Sequence, residues 1–277
     1  MAIQTIDANS ASGLISGKKQ VLSHSATAMI ARVLTGVMIL LLWEAVVRAF
    51  APGYVAKPST IVMAIPKVIA DQAFRRAAAD TLLAVAEGLL IAIVFGTLIG
   101  LMMGRSQLAE RLLRHYINGF YAVPMIIVLP LFSLWFGYSE KARLATVVFA
   151  AIFSIVVNVA DGAKSVSRDY IEVARSFRSN RLRLMIDVVL PAATPYFLAG
   201  LRLAAGRAMI GAVVAEFFIA MNGSLGYFVL YQSRTFHHNE AFVGVIALAG
   251  SCVGFELLIN WCTRQFLPWY RRDESTE

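Results

Sequence analysis

Six apolar runs, near residues 29–50, 81–104, 116–137, 142–163, 195–220 and 240–262, are each long enough to cross a bilayer, for which about 20 residues are needed. A chain with six such runs has few folds open to it. In hydrocarbon every backbone N–H and C=O must find its partner inside the protein. Each run is therefore expected as a helix, and the whole as an all-α membrane protein with six transmembrane helices. An even number of crossings puts both termini on one side. Fifteen basic residues border that side, Arg105, Arg111, Arg114, Lys164, Arg168 and Arg175 among them, against eight on the other, with Arg202 and Arg207 inside the fifth run. By the positive-inside bias the termini and the loop around Glu172 are expected in the cytoplasm. Residues 1–28, polar and rich in Ser, Ala and Gly, read as a flexible cytoplasmic tail before an uncleaved anchor. Residues 29–265 read as one transmembrane domain, and 266–277 as a second cytoplasmic tail.

Composition closes off the other classes. Hydrophobic residues are 58% and charged residues 15% of the 277, which is too apolar for a soluble domain. The net charge of +8 comes from basic residues scattered between apolar runs, without the compact basic patch that nucleic-acid binding requires. Cys252 and Cys262 lie within one apolar run and read as packing residues. His24, His115 and the adjacent His237 and His238 have no metal-ligand spacing, so neither a metal site nor an enzyme is expected. No Gly-x-x-x-x-Gly-Lys-Ser/Thr run occurs, so ATP-driven work has to come from another polypeptide.

Within the runs, Gly96, Gly100 and Gly104 recur at four-residue spacing and let a neighbouring helix approach. Pro124 and Pro130 are expected to kink the third span, which would suit a helix lining a path that opens. Residues 52–77, with Pro66 in a weakly amphipathic stretch, are too interrupted to span and are expected along the outer surface. Arg207 falls near the middle of the fifth span, where a charge is costly. It reads either as a cation beside the route of an anionic or polar solute or as the structural partner of Glu87 or Asp161. Asn158 reads as a hydrogen bonder, to another helix or to solute. Glu216, nine residues beyond Arg207, is half a turn out of phase with it, so at most one of the two lines a path. Arg207, Asn158, Pro124 and Glu216 are the candidates for that path, and Glu44, Glu87, Glu256 and Asn260 have no assigned role.

Between the fourth and fifth runs, residues 170–191 form a charged amphipathic stretch. Ile171, Ala174 and Phe177 are expected as its apolar stripe, beside a polar face of Glu172, Arg175 and Ser179. With Glu172, Ala174, Ser176 and the closing Leu190-Pro191, the stretch resembles the EAA loop of ABC importer permeases. Shorter pieces follow in the order of the nitrate, sulfonate and taurine branch: Trp43-Glu44, Lys57-Pro58-Ser59, Asp80-Thr81-Leu82, Val123-Pro124, Leu134-Trp135-Phe136-Gly137, Ala215-Glu216-Phe217 and Gly223-Ser224-Leu225-Gly226-Tyr227.

The resemblance implies the type I ABC importer (MetI-like) permease fold and a homodimer in a bacterial inner membrane. It also implies a cytoplasmic ABC ATPase that carries ATP and Mg, and an extracytoplasmic solute-binding protein. Ile171, Glu172, Ala174, Arg175, Ser176, Phe177 and Arg178 would dock the ATPase, while Asn222 to Tyr227 and residues 55–75 would meet the binding protein. Two positions depart from the pattern, Val173 for Ala and Arg178 for Gly. Because Arg takes a positive φ only at a cost, the bend that Gly makes is expected to shift to Ser179-Asn180. The rival reading, a secondary transporter or channel, would show inverted repeats or half-helices, and the sequence displays neither.

Overall fold

Helices dominate the computed structural model, which describes residues 8–50 and 55–266; no strand occurs among the described residues. The backbone is helical in α1 (Ala8–Phe50), α2 (Pro58–Ala70), α3 (Gln72–Arg105), α4 (Gln107–Ala122), α5 (Met125–Phe136) and α6 (Glu140–Lys164). It continues through α7 (Arg168–Ser176), α8 (Arg181–Leu184), a π-helical turn at Met185–Val189, α9 (Leu190–Ile219), α10 (Leu225–Arg234) and α11 (His238–Phe266). Five of these helices are long and apolar enough to cross a membrane, and six when the bent pair α4–α5 is taken as one span. The first seven residues of the expected N-terminal tail, and residues 267–277 of the C-terminal one, lie outside the described residues, and from Ala8 the backbone belongs to α1.

The third run departs most from expectation. It is not a kinked helix but two helices at 100°. Pro124 has no N–H, and it holds Val123 in an extended conformation, φ −67° and ψ 126°. A helix cannot run through that pair, whereas Pro130 lies inside α5 without ending it. The second span starts earlier than the apolar run, because Asp71 caps α3 by accepting a hydrogen bond from the Ala73 N–H at 2.9 Å.

The chain divides into two compact units, Met1–Met63 and Ala64–Glu277. In the first, two of the short sequence pieces meet. Glu44 accepts from the Ser59 N–H at 3.0 Å and the Ser59 hydroxyl at 2.8 Å, and from Arg48 Nε at 2.6 Å. A carboxylate within the first span thereby serves the first turn of α2, where N–H groups lack helical partners.

In the second unit α6 is the central post. Gly96, Gly100 and Gly104 of α3 abut Ile155, Val159 and Ala163 of α6 so closely that an added Cβ would come within 2.5–3.0 Å of them. On the α9 side, Gly200 and Gly211 meet Asn158 and Ala150 in the same way. In lipid, helices associate by close packing rather than by escape from water, and small residues permit that contact. Val85, Leu89, Val147, Ile155, Ala208 and Met209 fill the core so formed.

Candidate functional site

Beyond the last turn of α6, the Ser167 hydroxyl caps α7 by accepting from the Asp169 N–H at 3.2 Å. Ile171 is buried among Ala163, Val166 and Val189 and Ala174 is half-buried, whereas Tyr170, Val173 and Phe177 are exposed at 69%, 56% and 82%. The outward apolar stripe is therefore Tyr170-Val173-Phe177, not Ile171-Ala174-Phe177. At about 100° per residue, spacing i, i+3, i+7 returns within about 20° of its start, whereas i, i+3, i+6 drifts by about 120°. Ile171 anchors α7 to the bundle instead of docking a partner. Glu172, Arg175, Ser176 and Arg178 are exposed, as a docking face requires, although the Ser176 hydroxyl donates to the Glu172 carbonyl of its own helix at 3.0 Å.

The bend after α7 did not shift. Arg178 itself takes φ +53°, and the N–H groups of Ser179 and Arg178 donate to the carbonyls of Ala174 (3.1 Å) and Arg175 (2.8 Å). That is a Schellman closure with Arg in the position glycine prefers, at a cost of roughly 1–2 kcal/mol for an L-residue with a Cβ. Asn180, expected to share the bend, instead caps α8: its Oδ1 accepts from the Arg183 N–H at 2.8 Å. At the same end of the bundle Lys164 and Arg114 both pair with Glu110, and Arg114 stands 3.9 Å from Asp161. Asp161 is thus engaged by Arg114 and not by Arg207.

At the other end of α6 three of the short sequence pieces close into one buried network. Glu216 is 0% exposed, as is Thr81, and Arg143 is 4% exposed. Glu216 Oε1 accepts from the Thr81 hydroxyl at 2.9 Å and from Arg143 Nη1 at 3.2 Å, and its Oε2 accepts from the Gly226 N–H at 2.8 Å. Arg143 also bonds Asp80 at 2.6 Å, and the Leu225 N–H donates to the Thr81 hydroxyl at 2.9 Å. The α9–α10 turn delivers those two N–H groups, bending through Ala220 (φ +52°) and Gly223 (φ +88°). Gly226 has to be glycine, since a Cβ there would lie 2.7 Å from Glu216 Oε2. Such a network is what lets a buried charge persist, since both Glu216 carboxylate oxygens accept hydrogen bonds and Arg143 has two carboxylates beside it.

Several path and contact candidates are corrected by this arrangement. Glu216 is enclosed and committed to partners of its own chain, so it does not line a path. Ser224 is only 1% exposed and Leu225 and Gly226 are buried, so that half of the Asn222 to Tyr227 loop is occupied by the network and offers no surface. The Asn158 amide donates neither across helices nor into a cavity but to the Ser154 carbonyl one turn back, at 2.8 Å. Pro124 is exposed, at the α4–α5 break. Sequence reasoning missed Arg143 as a buried residue, Asp80 as its partner beside Glu216, and Thr81 as a donor to Glu216. The signal for Asp80 and Thr81 was there only as three short pieces, separated by up to 144 residues, that turn out to touch; Arg143 lies in none of them.

Arg207 lies on the edge of the α9 face whose Ala204, Ala208 and Gly211 are buried, and its side chain emerges exposed. Among the described residues it forms no ion pair. Its guanidinium carbon sits 4.0 Å from the centroid of the Tyr121 ring on α4, a cation–π contact worth about 0.5–2 kcal/mol. The two groups share a cavity of about 270 Å³ with Phe120, Phe149, Phe153 and Ile210, bordered by Val123 and Met125 at the α4–α5 break. Glu87, the other expected partner of Arg207, is exposed on α3.

The profile of the family described as "Binding-protein-dependent transport system inner membrane component" matches residues 92–272. Among curated proteins, the chain is 31% identical to the formylaminopyrimidine transport permease protein ThiX of Halalkalibacterium halodurans, over 85% of this chain and 94% of that one. It is 30% identical to the putative aliphatic sulfonates transport permease protein SsuC of Bacillus subtilis, over 76% of each. It is 26% identical to the taurine transport system permease protein TauC of Escherichia coli, over 82% and 84%. A solved structure titled as an amino acid ABC transporter with histidines superposes with a TM-score of 0.57 at 19% identity, covering 76% of this chain and all of the other.

Proposed function

The chain belongs to the binding-protein-dependent transport inner membrane components, and on that premise we propose that it is driven by ATP through a separate cytoplasmic ABC ATPase gripping the outward face of α7. It is an ABC importer permease subunit, multi-pass in the inner membrane, and its sequence holds no Gly-x-x-x-x-Gly-Lys-Ser/Thr run to cradle nucleotide. The observation that carries the reading is the Tyr170-Val173-Phe177 stripe. Two large apolar side chains of a nine-residue helix and a third at its C-cap are exposed on one side, while Ile171 anchors the other. Phe177, at 82% exposure, is the natural anchor for a pocket on a partner.

In this reading two copies of the chain enclose the path, and an extracytoplasmic binding protein delivers the solute. ATP and Mg bind on the ATPases, whose closure moves the paired α7 helices and opens the path outward; reopening releases the solute inward. Both termini and α7 lie in the cytoplasm, on the strength of the basic-residue asymmetry. Arg207, near the middle of α9 and beside the α4–α5 break at Pro124, is the cation that favours an anionic or polar solute. Formylaminopyrimidine, aliphatic sulfonates and taurine, for which ThiX, SsuC and TauC are named, fall within that class.

Phe177→Asp places a charge at the centre of the dock without touching the core. The variant is expected to reach the membrane, to melt like the wild type and to lose its ATPase on purification. Full retention of the ATPase, with undiminished ATP hydrolysis, would place the dock elsewhere.

A further inference from the structure

We propose that the cavity beside Arg207 is a binding subsite on this chain for an organic anion with a flat apolar body, such as an aromatic carboxylate, and that it discriminates against small bare anions. The proposal rests on the reading of the chain as an import permease with Arg207 beside the path. The geometry of the guanidinium carries it. The Arg207 guanidinium carbon lies 4.0 Å from the centroid of the Tyr121 ring, so the ring covers one side of the group and leaves an edge of N–H donors turned away from it. Among the described residues no acceptor takes a hydrogen bond from that edge. A guanidinium presents N–H donors in a fixed fork that matches a carboxylate in two parallel bonds.

The cost of the charge points the same way. A cation deep in a span is costly to hold, and an aromatic face offsets only part of that cost. An arriving anion supplies the remainder, which Asp161, held near Arg114, does not.

The walls select what the anion carries. Phe149 and Phe153 meet edge to face with centroids 5.0 Å apart, and Phe120 stacks on Phe153 at 6.1 Å. Three rings from α4 and α6 thus hold one another in place, and Ile210 of α9 completes the apolar lining. Such walls return nothing to a small, strongly hydrated anion for the water it sheds, but they do reward a ring that leaves water with it. At about 270 Å³ the cavity lies just below the roughly 300–1,000 Å³ range of drug-sized sites, and suits a ligand of one ring.

The test is equilibrium binding of radiolabelled benzoate to the permease–ATPase complex in nanodiscs, without ATP. Benzoate is expected to bind saturably, with acetate and benzyl alcohol each competing at least tenfold more weakly. One of these lacks the ring and the other the charge. Arg207→Gln is expected to weaken benzoate binding at least tenfold while the complex keeps its ATPase and its melting temperature. Should that variant fail to assemble, the competition series on the wild type decides alone. Acetate competing as well as benzoate, benzyl alcohol competing as well, or an assembled Arg207→Gln complex binding within twofold of the wild type overturns the proposal. Because binding is read without ATP, its failure is separable from failure of the import reading, which would show as a chain that purifies without an ATPase.

Discussion

The two ends of α6 have opposite designs. Arg143, in its first turn, is enclosed with Glu216 and Thr81, and it bonds both Glu216 and the half-exposed Asp80 of its own chain. Past its last turn, α7 turns Tyr170, Val173 and Phe177 outward, and nothing among the described residues covers them. One end is closed on itself and the other presents an open apolar face. Polar character alone does not mark a functional site in such a protein, because the most concentrated buried charge here is structural. The exposed apolar stripe beyond the membrane spans is the more telling feature, since isolated exposed apolar residues need no explanation but an aligned set on one helix does.

The comparison breaks most readily at its buried end. Glu216→Ala leaves Arg143 with Asp80 alone and strips the Thr81 hydroxyl and the Gly226 N–H of their acceptor, and losing one partner of a buried pair costs about 3–5 kcal/mol. A large fall in melting temperature and in folded yield is expected; an unchanged melting curve would show that the network is dispensable.

The contrast sharpens within α7 itself. Ile171→Ala, on the anchored side, should lower stability by about 2 kcal/mol, as the truncation of a buried Ile does. Val173→Asp, two residues away on the outward side, should leave the melting temperature alone. It should weaken ATPase retention at least tenfold, or about 1.4 kcal/mol. If both variants behave alike, α7 does not have two distinct faces.

The smallest effect concerns Arg178, whose φ of +53° suits glycine better. Arg178→Gly should raise stability by about 1 kcal/mol by removing the Cβ penalty. Thermal unfolding of the two proteins in the same detergent checks it, and a loss of stability would mean that the Arg side chain holds the turn by a contact of its own.

The spans were legible in the sequence because lipid imposes one rule on every backbone group, so an apolar run of sufficient length has one outcome. Gly96, Gly100 and Gly104 were legible as a packing stripe for a similar reason. What escaped was phase and distance. On a helix as short as α7, Ile171 and Val173 are equally apolar, and only contact with Val189 decides which turns inward. The proline pair at Val123-Pro124 announced a disturbance, but whether a helix bends or breaks depends on where its neighbours pack. The Glu216 network joins residues far apart in the chain, so no local periodicity could reveal it. The family's glycine at 178 suggested a bend that would move once Arg replaced it, yet the Schellman hydrogen bonds held the bend in place at the expense of strain.

The central claim, that this chain is the membrane half of an ATP-driven importer gripped through α7, is tested most directly by purifying it from native membranes in mild detergent. Native mass spectrometry and ATP hydrolysis are then read on the same sample. The account predicts two copies of the chain bound to two ATPase subunits, in a complex that hydrolyses ATP, and dissociation of the ATPases in Val173→Asp. A chain that purifies folded and without any ATP-hydrolysing partner, yet still moves solute across proteoliposomes, would contradict it.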